Sequence, residues 1–231
     1  MATQALTWDD AGTRLYETGT SKGVLYPMNP DGTYAAGVAW NGLTAVTEKP
    51  SGAEETALYG DDIKYASLRS AEEFAGTIEA YTYPDEFAAC DGSVALGVGV
   101  TVAEQTRQKF GMSYRTILGN DVASDAYGYK IHLIYGATAA PSERSYASVN
   151  DKPDAIKLSW DITSDKVAVP KLKPTASITI NSTTVTAAHL TATETMLYGS
   201  TTAAAKLPLP SELATLIAAL KQKTIERSFY A

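Results

Sequence analysis

The chain is poor in the side chains that carry most enzyme chemistry. Its 231 residues include one cysteine, Cys90, and two histidines, His132 and His189. A lone cysteine cannot form an intramolecular disulfide, and the two histidines lack the close spacing of the usual zinc sites. We therefore expect no metal, no cofactor and no enzyme activity. Stability must come from burial and from neighbouring subunits.

Basic charge and long apolar runs are also scarce. The formal net charge is -7, and an acidic surface repels phosphate and gains little from counterion release, which argues against a function in gripping DNA. No run approaches the roughly 20 apolar residues that span a bilayer. The segment Met1–Trp8 lacks the basic start and apolar core of a signal peptide. We expect a protein that is made in the cytoplasm and does not associate with membranes.

Three short features resemble reactive motifs, but a structural interpretation suits each of them better. Asp85, Glu86 and Asp91 could bind calcium or act as a carboxylate pair, yet the ligand spacing of a calcium loop is absent. A helix start and a helix end account for them more simply. Cys90 lies beside Asp91, which raises a thiol pKa, so a small buried thiol is expected. Gly97–Thr101 lacks the Lys-Ser/Thr ending of a phosphate loop and is predicted to be a turn.

What the chain does have is the alternation of apolar and polar residues that is typical of strands. In the segment 155–163, four apolar residues alternate strictly with polar ones. The pattern predicts a mainly antiparallel sheet system with one buried face. The predicted strands are Phe74–Tyr83, Phe110–Leu118, Gly128–Tyr135, Ala155–Thr163 and Ala176–Ile180.

Helices are predicted to be few. Pro84–Cys90 begins with proline and two acids, which suits one or two helical turns. Thr186–Leu197 is a weaker helix that ends before Gly199. The apolar residues 213, 216, 217 and 220 recur at helical spacing after Pro210 and predict an amphipathic C-terminal helix.

A polar segment between two of the early strands stands out by its length. Glu48–Gly60 is broken by proline and glycine, and it exceeds the two to five residues of an ordinary hairpin loop. Long ordered loops commonly have a function. Strand edges also need a partner, and a ring in which subunits continue one another's sheet removes those edges.

Five segments follow one another along the chain in an order that is more specific than any single motif. They are Trp40–Val46, Ala57–Tyr65, Ala80–Gly92, Lys130–Tyr135 and Ile156–Trp160. Together they resemble the successive blocks of the major tail protein of long-tailed bacteriophages, the subunit that polymerises into the tail tube. The resemblance extends over about residues 8–220.

The resemblance implies a mainly β (α+β) fold of two packed antiparallel sheets with short helices. It implies one domain over residues 1–231, whereas the Thr/Ala/Ser-rich composition of Thr175–Ala205 leaves open a semi-independent C-terminal segment over residues 175–231. Six subunits would form a ring whose inner wall is a continuous β-barrel, and stacked rings would form the tail tube of a virion. The implied partners are further copies, the proteins at the tube ends, the tape measure protein, and DNA that passes without specific binding. A phage-tail-like bacteriocin fits equally well.

The resemblance also assigns roles to particular residues. A long loop between early strands reaches the adjacent ring, and here that loop is Glu48, Lys49, Pro50, Ser51, Gly52, Ala53, Glu54, Glu55 and Thr56. Asp61 and Glu79 are the candidates for the lumen, because each is expected in a strand that lines the bore. Six copies of a chain with net charge -7 carry -42, and an acidic wall would let DNA slide through.

A second interpretation comes from the aromatic residues. Trp8, Trp40, Trp160 and the 14 tyrosines could line a sugar-binding groove, although aromatics at strand spacing are more often found in cores and interfaces. A carbohydrate- or ligand-binding β-sandwich on a phage or cell surface is therefore the alternative to a tube subunit.

Overall fold

The computed structural model describes residues 5–142, 144–146, 148 and 154–229, with side chains as far as residue 219. Twelve strands and three helices are found there, with a 3-10 turn at Asp85–Phe87 before the first helix. The strands are β1 (Leu15–Pro27), β2 (Val38–Trp40), β3 (Leu43–Glu48), β4 (Glu55–Gly60), β5 (Ile63–Arg69), β6 (Phe74–Ala80), β7 (Val94–Gly97), β8 (Val100–Val102), β9 (Phe110–Asn120), β10 (Ser124–Pro141), β11 (Leu158–Ser164) and β12 (Ser177–Asn181). The helices are α1 (Ala88–Asp91), α2 (Ala187–Tyr198) and α3 (Pro210–Phe229).

Eight strands share one antiparallel sheet in the order β2-β1-β9-β10-β11-β6-β3, with β12 paired to β10. The remaining strands form two separate hairpins, β4–β5 and β7–β8. The mainly β, antiparallel fold class with few helices is thus confirmed. No pairing between β2 and β3 closes the sheet in the described part of the chain, so the continuous barrel across six subunits stays a prediction.

The 18-residue strand β10 organises the sheet because its two halves have different partners. Lys130–Ile134 pairs with β12, whereas Ala137–Pro141 pairs with β11. Between them the pairing with β9 shifts register, and Gly136 adopts a φ of +56°. A side chain at Gly136 would also crowd the backbone of Asp165, with the added Cβ 3.1 Å from its carbonyl oxygen. Glycine therefore suits the bulge at which β10 changes partners.

The first of two buried clusters, here called the aromatic cluster, is filled from six strands and from the segment 87–90. Phe87 lies at its centre, with ring centroids 4.6 Å from Trp40, 5.1 Å from Trp160 and 5.4 Å from Phe110. The cluster comprises Leu25, Trp40, Ile78, Ala80, Phe87, Cys90, Phe110, Met112, Tyr114, Ile134, Ala137, Ala139, Trp160 and Ile162.

The second cluster lies between the sheet and the C-terminal helices, and we call it the helix-side cluster. The Tyr26 hydroxyl donates to the Leu197 carbonyl at 2.7 Å, and the Tyr135 hydroxyl donates to the Pro208 carbonyl at 2.9 Å. Both bonds tie the end of α2 and the approach to α3 to the sheet. The cluster comprises Val24, Tyr26, Ile131, Leu133, Tyr135, Leu197, Leu207 and Leu213.

The prediction of a sheet with one buried face is wrong at its centre. Val24, Leu25 and Tyr26 are consecutive and all buried, as are Leu133 to Tyr135. Alternate side chains enter the two clusters, because α2 and α3 cover the face that the sequence pattern left to solvent. The predicted strands are otherwise found, with boundaries that shift by a few residues.

The predicted helices are also found. The predicted helix Pro84–Cys90 is found as the 3-10 turn and α1, and Gly92, with a φ of +80°, follows the last residue of α1. In α2 the Thr186 hydroxyl caps the helix by accepting from the His189 amide. Helix α3 runs beyond the predicted stripe to Phe229. The last two residues, 230 and 231, lie outside the described part of the chain.

Candidate assembly surfaces

The segment predicted as a long loop is a short connection that belongs to a β-ribbon. Glu48 is the last residue of β3, and Glu55 and Thr56 belong to β4, so only residues 49–54 connect strands. These six residues run antiparallel to the chain that returns from β5. Ser51 and Glu73 exchange two backbone hydrogen bonds of 2.9 and 2.8 Å. We call residues 49–73, which leave the sheet at β3 and return to it at β6, the arm.

The backbone of the arm departs from regular strand geometry within residues 50–53. Gly52 has a φ of +88°, and a Cβ there would lie 2.2 Å from the carbonyl oxygen of Ala71. Ala53, next to it, also has a positive φ of 56°. Two successive residues in the left-handed region interrupt the ladder between the base of the arm and its tip.

The tip of the arm is a tight hairpin with acidic residues at its turn. Asp61 and Asp62 have φ values of 50° and 59°, the signs that a two-residue type I′ turn requires. Asp61 therefore lies in a turn, and its predicted place in a strand is wrong. Asp residues tolerate the left-handed region better than most, which suits them to this turn.

The arm displays large apolar side chains that no part of the described chain covers. Tyr59 and Tyr65 are 75% and 78% exposed, and Ile63 and Leu68 are also exposed. An isolated two-stranded hairpin is only marginally stable in water. Apolar groups clustered on such an element usually mark a contact surface.

The hairpin β7–β8 presents a second surface of this kind. Its five large apolar residues all face solvent: Val94, Leu96, Val98, Val100 and Val102. Val98 and Gly99 form its two-residue turn, and Gly99 has a φ of +74°. The turn predicted over Gly97–Thr101 is thus found only at its centre, because Gly97 belongs to β7 and Val100 and Thr101 belong to β8.

Glu79 lies in the sheet, as predicted, on the face opposite the aromatic cluster. It is half-buried between Ala45 of β3 and Ser159 of β11. The same face carries Thr77, which donates to Asp161 at 2.8 Å and accepts from Lys49 at 3.1 Å. Three neighbouring strands thus present a polar surface. Whether it faces a lumen depends on neighbouring subunits, so that role remains a prediction.

Asp91 is buried, and its carboxylate binds core side chains instead of joining Asp85 and Glu86 in a cation site. Its carboxylate accepts from Trp160 Nε1 at 2.9 Å and from Arg144 at 2.7 Å. Burial raises the pKa of the Cys90 thiol to about 12, and the charge of Asp91 adds to this effect. The sequence predicted a raised thiol pKa. Among the described residues, no group of three His, Cys, Asp or Glu side chains could hold a metal ion.

A polar cluster that joins side chains of four strands was not predicted. His132 stacks on Tyr114 with centroids 4.7 Å apart, and its Nε2 lies 3.3 Å from Glu17. Tyr114 in turn donates to Glu48 at 2.7 Å, so the cluster reaches from β1 to β3. Burial raises the pKa of Glu17, but the hydrogen bonds from Lys130 and Thr116 outweigh it and bring the pKa below its usual value. Residues so far apart in sequence carry no signal of this proximity.

No protein-family model and no curated protein sequence matches the chain. Within residues 5–142, 144–146, 148 and 154–229, none of the helices is long and apolar enough to cross a membrane.

Proposed function

We propose that this chain is the structural subunit of a tail tube, in a phage virion or a phage-tail-like particle, and that it assembles into stacked hexameric rings. Its partners are other copies of itself, the proteins at the tube ends and the tape measure protein. DNA passes through the lumen without specific binding, and the subunit has no enzyme activity. The resemblance of the five sequence segments supports this proposal.

The observation that carries the proposal is the pair of exposed apolar hairpins. The arm and β7–β8 each place apolar side chains in water at a distance from either buried cluster. A monomeric protein gains nothing from two such elements, whereas packing against a neighbour would bury them. At about 25 cal/mol per Å2 of apolar surface, burying one large side chain stabilises a contact by roughly 1.5–3 kcal/mol.

Two edges of the sheet support the same proposal. Strand β2 pairs only with β1 and β3 pairs only with β6, so each has a free row of backbone donors and acceptors in the described chain. Edges of this kind pair readily with another strand. The polar face around Glu79 belongs to the strands next to the β3 edge, which suits a surface that stays wet after rings have formed.

The first test is negative-stain electron microscopy of the purified protein at rising concentration. We expect hollow rings or tubes of constant diameter above a threshold concentration. A Tyr59→Ser/Tyr65→Ser variant serves as the matched control, because it removes apolar surface from the arm without touching a buried cluster. Wild-type protein that stays dispersed and monomeric at every concentration, and that binds glycans, would instead support the surface-binding alternative.

A further inference from the structure

An apolar groove of about 450 Å3 lies between β12 and the two C-terminal helices. Ile178 and Ile180 of β12 form one wall, and Leu213, Leu216 and Ile217 of α3 form another. Ile217 remains 43% exposed. The groove is therefore a depression lined by aliphatic side chains and open to solvent.

One buried polar atom near the groove lacks a partner. His189 of α2 lines the groove and is 7% exposed. Its Nδ1 lies 2.7 Å from the Thr186 hydroxyl, but its Nε2 has no hydrogen-bond partner among the described residues. A buried polar group left unpaired costs free energy. In the neutral tautomer with Nδ1 protonated, this Nε2 is an acceptor.

Trp8 is the side chain that best complements the groove. Trp40 and Trp160 are buried, and their indole N–H groups donate to the Thr82 carbonyl and to Asp91. Trp8 is 76% exposed, and no hydrogen bond of its indole is found within the described chain. It combines a large apolar ring with a free donor, which is the usual chemistry of an anchor at an interface.

A locally ordered turn holds Trp8 in this exposed position. The Thr7 hydroxyl donates to the Asp10 carboxylate at 2.7 Å, and Arg14 donates to the Asp9 carbonyl at 2.8 Å. Asp9 has a φ of +56°. The Gly12 amide donates to Asp121 at 3.0 Å and so fastens the turn to the β9–β10 connection. An anchor that is already ordered loses less entropy on binding.

We propose that the groove between β12, α2 and α3 receives Trp8 of a second copy of this chain. Each copy then offers one anchor and one groove at different places on its surface. Such a head-to-tail contact generates a ring when the rotation between copies closes and a filament when it does not. The inference rests on the proposed function, for which it names one contact between subunits.

Thiol cross-linking between two singly substituted variants tests the contact in trans. Leu6→Cys places a thiol two residues from Trp8, and Thr184→Cys places one at the exposed rim of the groove. Cys90 does not compete, because it is buried. The two proteins, one with a short tag, are mixed and treated with a flexible bismaleimide. We expect a cross-linked heterodimer. Because each variant carries only one of the two thiols, this link can form only between two chains.

Adding Trp8→Ala to the Leu6→Cys protein provides the control for the anchor. We expect the heterodimer to disappear, and the concentration needed for self-association of Trp8→Ala protein to rise at least about tenfold, as for an interface hot spot. In the wild type, assembly should protect Trp8 fluorescence from acrylamide, since the other two tryptophans are already buried.

A third thiol separates the competing occupants. If Leu96→Cys on β7–β8 links to Thr184→Cys while Leu6→Cys does not, the hairpin occupies the groove and the inference is wrong. Tubes that form without a Trp8-dependent link also overturn it, but they leave the proposed function standing. A Trp8-dependent link in oligomers that never become tubes supports the inference and counts against the tube. Protein that neither associates nor cross-links overturns both.

Discussion

Asp91 accepts a hydrogen bond of 2.9 Å from the indole of Trp160 and thereby joins the end of α1 to the middle of β11. The same carboxylate pairs with Arg144 at 2.7 Å while its side chain is only 6% exposed. Asp91 thus holds the segment 80–92 against the sheet, at the edge of the aromatic cluster. The role of this segment is to stabilise the fold.

Removing the Asp91 carboxylate should destabilise the fold strongly. Asp91→Ala leaves the buried Trp160 N–H without its acceptor, while the Arg144 side chain, 32% exposed, can turn to water, so we expect the free energy of unfolding to fall by about 1–3 kcal/mol. Urea denaturation measures the change. Asp85→Ala, at an exposed neighbouring acid, should stay within about 0.5 kcal/mol of wild type. Equal effects of the two substitutions would contradict the structural role of Asp91.

Polar substitutions on the arm should separate folding from assembly. Tyr59→Ser/Tyr65→Ser replaces two exposed rings, so the free energy of unfolding of the monomer should change by no more than about 1 kcal/mol. If these rings pack against a neighbour, the double variant should form no long tubes at concentrations at which wild type does. Electron microscopy and sedimentation measure this. Tyr146→Ser, at a similarly exposed tyrosine outside the arm, is the matched control.

Reversing the charge of Glu79 tests its predicted place in the lumen. The half-buried position beside Ala45 and Ser159 allows a lysine stem to lie along the sheet with its amine in water, so Glu79→Lys should still assemble. Each ring would then gain six cations in its bore, and assembled tubes should retain DNA at low salt and release it as salt rises. Glu86→Lys, at an exposed acid outside both hairpins, controls for net charge. Tubes of Glu79→Lys that retain no more DNA than those of Glu86→Lys would place Glu79 away from the bore.

Acid should weaken the fold partly through Glu17. Its pKa is lower in the folded protein than its usual value of 4.5. Its stabilising contribution is therefore fully present above that value and is lost as the pH falls through the folded pKa. Glu17→Gln should lower the melting temperature near neutral pH and show a shallower decline below pH 4.5 than wild type. Identical acid limbs for Glu17→Gln and wild type would refute the prediction.

The strands and helices with a clear period were predictable from local sequence. The alternation in 155–163 reappears as β11, and the helical spacing after Pro210 reappears as α3. The arm was not predictable in this way, because both faces of Glu48–Thr56 are exposed to solvent, and its sequence therefore shows no alternation of apolar and polar residues. Its pairing depends on contacts with residues 69–75, which local periodicity does not report.

The candidate surfaces show the same division. The sequence pattern already placed Glu79 in a strand, whereas only the fold reveals that Asp61 lies at a turn. Trp8 and the groove beside His189 carried no joint signal, because exposure and cavities are properties of the packed chain.

Composition and periodicity alone determined that this protein is rich in strands, poor in reactive side chains and acidic, since each property depends on residue identity or on spacing within a few residues. Tertiary structure decided which face of each strand is buried, because α2 and α3 return from far along the sequence to cover the sheet. It also decided which apolar residues remain in water, since burial depends on what the rest of the chain brings alongside.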